Sequence, residues 1–244
     1  MKRRYGWKPQ HPDHRDFAYA PKAGKLPASV SPLTQGFPIF DQGNLGSCVA
    51  NGTAALWQHR HMIEGIDLGP ASRLFIYYCG RAIEGTVKQD SGLEVRDGLK
   101  AIAKQGACIE ADWPYVVGKF KQKPPTLAYS DAAKRIALQY QAVPGTVASI
   151  KGALAAGNPV VGGFTVFESF ESDAVAQSGI MPMPKKSEQP IGGHCVVWDG
   201  YTSDGCYFWC RNSWGTSWGL GGWFKMPVEN LRNSSDFWAL LKVE

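Results

Sequence analysis

The sequence predicts an α+β fold, with helices in the first half of the chain and strands in the second. Apolar residues recur at helical intervals up to about residue 105, a Pro-rich break follows at 123–125, and short apolar runs typical of strands fill most of the remainder. This order favours two segregated lobes with a cleft between them over alternating strands and helices. A chain of 244 residues is long enough for one sizeable domain or for two half-domains that share a cleft.

The longest helical pattern covers 47–66. Ala50, Ala54 and Trp57 recur there at roughly helical spacing after a Gly-Ser start, which puts Cys48 in the first turn. Three further helices are predicted, over 71–82, 95–105 and 147–156. Gly106 is expected to cap the helix over 95–105.

Six strands are predicted after the Pro-rich break, because each apolar run there is short. They cover 136–143, 159–166, 194–201, 207–212, 222–226 and 237–243. The segment 181–190 (M-P-M-P-K-K-S-E-Q-P) is expected to be a loop that borders the cleft.

The net charge of +5 is concentrated in the first 25 residues, which read as an extended basic arm. This arm holds seven of the 26 basic residues and two of the 21 acidic ones, so 26–244 carries 19 of each and is formally neutral. A neutral body argues against a nucleic-acid partner. The chain also has no apolar run of about 18 to 20 residues and no signal-peptide pattern, so no membrane partner is expected and a cytoplasmic location is favoured over export.

The chain contains six cysteines, and free thiols are the expected state in a protein of this length without an export signal. Cys206 and Cys210 are separated by three residues, which is not the spacing of a zinc knuckle. The sequence therefore predicts neither a metal nor an organic cofactor. Buried positions are expected for four of the thiols: Cys79, Cys108, Cys206 and Cys210.

Cys48 has the setting of a nucleophile. A helix N-terminus favours the thiolate, and a histidine brought from the other lobe can act as its base. His194 stands in I-G-G-H-C-V-V-W-D-G-Y, and Asn212 stands in R-N-S-W-G-T-S-W-G-L-G-G-W-F, where it can accept a hydrogen bond from the imidazole. Gln42 lies six residues before Cys48 and offers an amide donor for an oxyanion.

These motifs, with D-Q-G-N-L-G-S-C-V-A (41–50), resemble the papain-like cysteine peptidase family and are most similar to its bacterial, xylellain-like branch. The resemblance covers 26–244. It implies a papain-like two-lobed fold, with a helical lobe at about 40–135, an antiparallel β-barrel-like lobe at about 136–244, and the active-site cleft between them. It also implies a monomeric cysteine-type endopeptidase that acts on a peptide or protein substrate through a thioester acyl-enzyme.

The resemblance further implies roles for single residues. The expected catalytic residues are Cys48 as nucleophile, His194 as base, Asn212 as its orienter and Gln42 as oxyanion donor; the expected substrate-side residues are Gly92, Gly193 and Trp214. Trp214 is also expected to shield the His194–Asn212 hydrogen bond from water. Leu45 and Asp90 stand where the family pattern has a disulfide, so that disulfide is absent, and Val49 replaces the usual Trp after the nucleophile.

Several alternatives remain open at this point. The same site chemistry could serve an amidase or acyl transferase on a non-protein substrate, and a papain scaffold could be a non-catalytic binding protein. The Trp-rich end of the chain favours core and cleft-wall packing over a carbohydrate or base platform. His59 and His61 are interpreted as packing or surface residues.

The arm (1–25) is expected to cover the cleft as a short inhibitory segment anchored by Tyr5, Trp7 and Phe17.

Overall fold

The computed structural model describes residues 4–21, 24–33 and 37–243. The α-helices of this part of the chain are α1 (Cys48–Ile63), α2 (Arg73–Ile83), α3 (Val95–Lys104), α4 (Thr126–Ala132), α5 (Val147–Ala155) and α6 (Asp173–Ser178). The strands are β1 (Ala137–Ala142), β2 (Val160–Phe167), β3 (Pro190–Tyr201), β4 (Tyr207–Arg211), β5 (Trp223–Pro227) and β6 (Ser234–Val243). The four predicted helices and six predicted strands are confirmed, with shifts of a few residues at their ends.

The strands form one antiparallel sheet in the order β1-β6-β2-β3-β4-β5. β1 and β5 lie at opposite edges of this described sheet, so the strands of the predicted β-barrel-like lobe do not close into a barrel. β3 also begins four residues earlier than predicted, since the segment from Pro190 pairs with the end of β2. The Pro and Gly residues of 190–193 conceal this extension, because both residue types are depleted in strands.

The two helices that the sequence did not predict are α4 and α6, with seven and six residues. Neither is long enough to repeat an apolar pattern over two turns, so local capping has to define it. Ser172 caps α6 by accepting a hydrogen bond from the N–H of Val175, and α4 starts directly after Pro125.

Helix α1 runs through the middle of the molecule, and 13 of its 16 residues are buried. One core packs α1 against α2, α3 and one face of the sheet, while a second core lies on the other face of the sheet with α5. Gly52 allows the close approach of α1 and β2, because a β-carbon there would lie 2.8 Å from Val161 Cγ2. Cys48, at the N-terminus of α1, is thereby held between the helices and the sheet.

Two isolated β-bridges link the described part of the arm to the body. Trp7 forms a parallel bridge with Leu93, and Ala18 forms one with Ala142 at the end of β1. Trp7 and Tyr19 are buried, whereas Phe17 is 76% exposed. The prediction that Phe17 anchors the arm is therefore wrong, and Tyr19 takes that place.

All six cysteines are free thiols, as predicted. Five are buried, but Cys206 is exposed in the turn between β3 and β4, so the prediction that it is buried is wrong. His59 and His61 are buried in packing contacts, His61 with its ring centroid 3.9 Å from that of Trp57. Of the described helices, none combines the length and apolarity needed to cross a membrane.

Candidate active site

Cys48 is the first residue of α1 and is fully buried. The backbone N–H groups of Cys195, Gly6 and Val49 point at its sulfur and favour the thiolate, but burial outweighs them and raises the pKa of the thiol to about 11. The sequence led us to expect a lowered pKa. The direction is reversed here because the side chain is fully buried.

His194 and Asn212 are joined by a hydrogen bond of 2.7 Å between the imidazole Nε2 and the side-chain oxygen Oδ1. His194 lies on β3 and Asn212 directly after β4, so the pairing of these two strands brings them together. Both side chains are buried. Cys195 directly follows His194 on β3, and its N–H is among the groups that favour the Cys48 thiolate, so the strand that carries His194 passes close to the thiol.

Trp214 stacks on the imidazole of His194, with ring centroids 4.8 Å apart and an interplanar angle of 25°. Phe164 meets the same imidazole edge-on at 5.8 Å. Trp214 is only 3% exposed. Its position therefore matches the expectation that it shields the His194–Asn212 pair, and gives it little surface for contact with a substrate.

Both the nitrogen and the oxygen of the Gln42 side-chain amide form hydrogen bonds. Its Nε2 donates to the carbonyl oxygens of Leu45 at 2.9 Å and of Arg4 at 3.2 Å, while its Oε1 accepts from the Ser213 hydroxyl at 2.7 Å. This pattern fixes which side of the amide carries the donor. Sequence reasoning missed Ser213, although it directly follows Asn212 in the R-N-S-W-G motif.

The loop before Cys48 is fixed from two sides by residues that the sequence did not single out for this purpose. Asp90 accepts from the Gly46 N–H at 3.1 Å and from the Tyr77 hydroxyl at 2.5 Å. On the other side, the Tyr115 hydroxyl donates to the Gln42 carbonyl at 3.0 Å and lies 2.6 Å from the Ser47 hydroxyl. These contacts come from three distant segments, so no local motif contains them.

Residues 4–8 of the arm cross directly over this loop. Gly6 passes so close that a β-carbon there would lie 1.8 Å from the carbonyl oxygen of Gly46. The Gly6 carbonyl accepts from the Leu93 N–H at 2.7 Å, and the Trp7 N–H donates to the Gly193 carbonyl at 3.1 Å. Gly92 also faces the arm, since a β-carbon there would lie 2.2 Å from the Gly6 carbonyl oxygen. Gly92 and Gly193, predicted on the substrate side, thus both contact the arm.

Side chains of the arm fill pockets on either side of the site. The Trp7 indole lies against Gly163 and Gly193 and donates to the carboxylate of Asp236 at 3.0 Å. The Tyr5 ring meets the His194 imidazole edge-on at 6.1 Å. Three ion pairs add to these contacts: Arg4–Asp90 at 2.9 Å, Asp16–Arg96 at 2.6 Å, and Lys8–Glu84.

The described residues near the site do not form a metal-binding cluster. In residues 4–21, 24–33 and 37–243, no three His, Cys, Asp or Glu side chains gather in a way that could hold a metal ion. The groups described above can supply a thiol, an oriented imidazole and a fixed amide donor, which are the components of nucleophilic acyl transfer.

Comparison with known proteins identifies the family to which this chain is similar. The profile of the papain family cysteine proteases matches residues 27–236. The peptidase C1-like protein L477 of Acanthamoeba polyphaga mimivirus, itself uncharacterized, is 38% identical over all of this chain and 88% of its own length. Cysteine proteinase 3 of Entamoeba histolytica is 30% identical, over 79% of this chain and 60% of its own length.

Among solved structures, xylellain, a cysteine protease from Xylella fastidiosa, superposes with a TM-score of 0.92 at 37% identity. The match covers 100% of this chain and 99% of that chain. It confirms the papain-like α+β fold and the resemblance to the xylellain-like branch. A family profile that spans most of the chain and relatives of similar length together show that this protein belongs to the papain family of cysteine proteases and is a hydrolase.

Proposed function

We propose that the protein is a cysteine endopeptidase whose nucleophile is Cys48, and that its arm keeps it in an inhibited form. The observation that carries the catalytic part is the hydrogen bond between His194 Nε2 and Asn212 Oδ1, in a molecule whose Cys48 lies at a helix N-terminus. The family membership supports a peptide or protein as substrate.

Cys48 forms the covalent intermediate. Its sulfur attacks the carbonyl carbon of the scissile peptide bond, and the resulting thioester is then hydrolysed by water. The N–H groups of Cys195 and Val49 and the start of α1 favour the thiolate once water or substrate replaces the arm.

His194 moves the protons of both steps. With Nε2 engaged by Asn212, Nδ1 is the ring nitrogen that takes the proton of the thiol and delivers it to the leaving amine. In the second step the same nitrogen accepts a proton from the attacking water. Asn212 fixes the tautomer and the ring orientation, and the stacked Trp214 excludes water from their hydrogen bond.

Gln42 stabilises the negative oxygen that develops on the attacked carbonyl. Its Nε2 already donates to a backbone carbonyl, that of Arg4, and its orientation is set by Ser213 and Leu45. A donor that is oriented before the reaction needs no reorganisation in the transition state. The Cys48 N–H is the second donor of this site.

Inhibition by the arm is supported by where its groups lie. Gly6 covers the sulfur of Cys48, the Arg4 carbonyl takes the Gln42 donor, and Trp7 fills the pocket against Gly193. Burial raises the pKa of Cys48 to about 11, so the thiol stays protonated at neutral pH in this form. Release of the arm is therefore a requirement for activity.

The experiment that tests the catalytic assignment compares the full chain with its Cys48→Ala variant, both also carrying Cys206→Ala so that no exposed thiol competes for the reagent. We expect Cys48→Ala to abolish cleavage of a peptide substrate and labelling by a thiol-directed epoxide. The matched control is Cys79→Ala, which removes another buried thiol far from the cleft and should retain both. Cleavage by Cys48→Ala at the parent rate would overturn the proposal.

A further inference from the structure

A single residue of the arm contacts two groups of the proposed active site. The backbone carbonyl of Arg4 accepts from Gln42 Nε2 at 3.2 Å, and the guanidinium Nη1 of Arg4 donates to Asp90 Oδ2 at 2.9 Å. One arginine thus spans the distance from the oxyanion donor to a carboxylate. Both contacts are made by the same residue, so the separation of the two groups matches the length of one arginine side chain.

The carboxylate of Asp90 is fixed by the body of the protein. Its Oδ1 accepts from the Gly46 N–H and the Tyr77 hydroxyl, and the Tyr77 hydroxyl in turn accepts from the Gly92 N–H at 3.2 Å. The Asp90 side chain is 9% exposed, whereas that of Arg4 is 61% exposed. The Asp90 carboxylate is therefore held in place by the body of the protein, whereas the Arg4 guanidinium can leave with the arm.

The surroundings of Asp90 suit the stem of a long basic side chain. A pocket of about 590 Å³ adjoins it, with apolar walls from Leu45, Val117 and Phe120. Lys121 also lines this pocket, with its ammonium nitrogen 5.3 Å from the Phe120 ring centroid. An incoming cation is thus attracted by the buried Asp90 and opposed by the exposed Lys121 at the rim.

We propose that Asp90 makes the enzyme prefer substrates with Arg or Lys as the residue whose carbonyl is attacked. The inference rests on the proposed function, because it takes Cys48 as nucleophile and Gln42 as oxyanion donor. When the arm leaves, the scissile carbonyl occupies the Gln42 donor that Arg4 held. The side chain of that same residue then replaces the Arg4 guanidinium on Asp90 Oδ2.

Loss of Arg4 leaves a nearly buried carboxylate without its cation, which is unfavourable unless another donor replaces it. A charged donor restores a charge-assisted hydrogen bond, while a neutral side chain of the same shape restores only a weaker one. We expect this difference to favour the cation by about tenfold in kcat/KM, on the scale of hydrogen bonds to charged groups.

The test uses two fluorogenic peptides that differ only at the attacked residue, arginine in one and the neutral isostere citrulline in the other. The readout is the ratio of their kcat/KM values with the full chain. Opening of the arm affects both substrates by the same factor and cancels in this ratio. Asp90→Asn should reduce the ratio from about ten to about one, since asparagine keeps an acceptor for Gly46 and Tyr77 but has no charge.

Two further variants make the outcome decisive. Asp236→Asn removes a different carboxylate that contacts the arm, through Trp7, and should leave the ratio at its wild-type value. Lys121→Glu alters only the exposed rim and should raise the ratio, so it tests the proposal even if Asp90→Asn does not fold. A wild-type ratio near one, or an unchanged ratio in Asp90→Asn or Lys121→Glu, would overturn it. Failure of the proposed function would instead appear as cleavage by Cys48→Ala.

Discussion

Gly6 crosses Gly46 at a distance that leaves no room for a side chain. A β-carbon on residue 6 would lie 1.8 Å from the Gly46 carbonyl oxygen, two residues before the proposed nucleophile. The arm can therefore lie on Cys48 only because position 6 is glycine. The addition of one methyl group at position 6 should therefore displace the arm and weaken the proposed inhibition.

Gly6→Ala should release the arm and increase activity. Overpacking of a tight contact costs about 1–3 kcal/mol, so we expect kcat/KM for a peptide substrate to rise roughly ten- to hundredfold. Gly118→Ala is the matched control, because a β-carbon there meets no atom within 4 Å, and it should leave the rate unchanged. Equal rates for Gly6→Ala and the wild type would show that the arm does not limit activity.

The hydrogen bond between His194 and Asn212 predicts a second effect. Asn212→Ala should lower kcat/KM on the order of 10²-fold, because general acid–base catalysis depends on the orientation and tautomer that this bond sets. The matched control is Asn230→Ala, which removes another buried asparagine away from the site. Both variants should lose thermal stability, but only Asn212→Ala should change the pH profile of kcat/KM. A normal profile in Asn212→Ala would contradict the orienting role.

The regular elements and the catalytic motifs could be predicted from the sequence because local patterns specify them. The Gly-Ser start and the apolar spacing put Cys48 at a helix N-terminus, and the motifs around His194 and Asn212 coincide with β3 and the end of β4. The order of the strands has no such local signal. β6, the last strand in the chain, inserts between β1 and β2, and this long-range pairing leaves the sheet open.

The features that sequence reasoning missed all depend on contacts between distant segments. Asp90 acquires its surroundings from Arg4, Gly46 and Tyr77, so no motif contains them. In the arm, which has no apolar period, the pairing with Ala142 decides which aromatic side chain is buried. The Tyr19 N–H donates to that carbonyl at 2.7 Å and its ring is buried, while Phe17 stays in solvent.

Asp199 on β3 predicts a pH-dependent stability. It is 6% exposed, and burial raises its pKa from 3.8 to about 7, partly offset by the Arg211 guanidinium. The pKa of Asp199 is therefore higher in the folded protein than in the unfolded chain. Its contribution to the free energy of unfolding is complete below about pH 4 and is lost as pH rises through about 7. Asp199→Asn should therefore increase the free energy of unfolding at pH 8 by about 2–4 kcal/mol, and by little at pH 4.

Urea denaturation of the Asp199→Asn variant and the wild type across this pH range measures the difference directly. Asp204→Asn provides a control of opposite sign, because hydrogen bonds from Thr202 and Cys206 lower the pKa of that exposed carboxyl. Its removal should slightly reduce stability above pH 4. A stability difference for Asp199→Asn that does not change with pH would contradict the raised pKa.

The hydrogen bond from the Ser213 hydroxyl to Gln42 Oε1 predicts an energetic coupling between these two residues. Gln42→Ala should lower kcat by about 10²- to 10³-fold, the usual effect of losing one oxyanion donor. Ser213→Ala leaves the donor present but no longer fixes its orientation, so its effect should be smaller, about three- to tenfold. In the Gln42→Ala background, Ser213→Ala should have no further effect, because it acts only through the amide.

The double-mutant cycle is best measured in the Gly6→Ala background, since Gln42 also binds the Arg4 carbonyl and its loss would loosen the arm. Ser178→Ala, which removes an exposed hydroxyl on α6, is the matched control and should leave kcat unchanged. KM should change much less than kcat in all variants, because the donor binds the oxygen more strongly in the transition state than in the bound peptide. Additive effects of Gln42→Ala and Ser213→Ala would mean that Ser213 affects the site by a route other than Gln42.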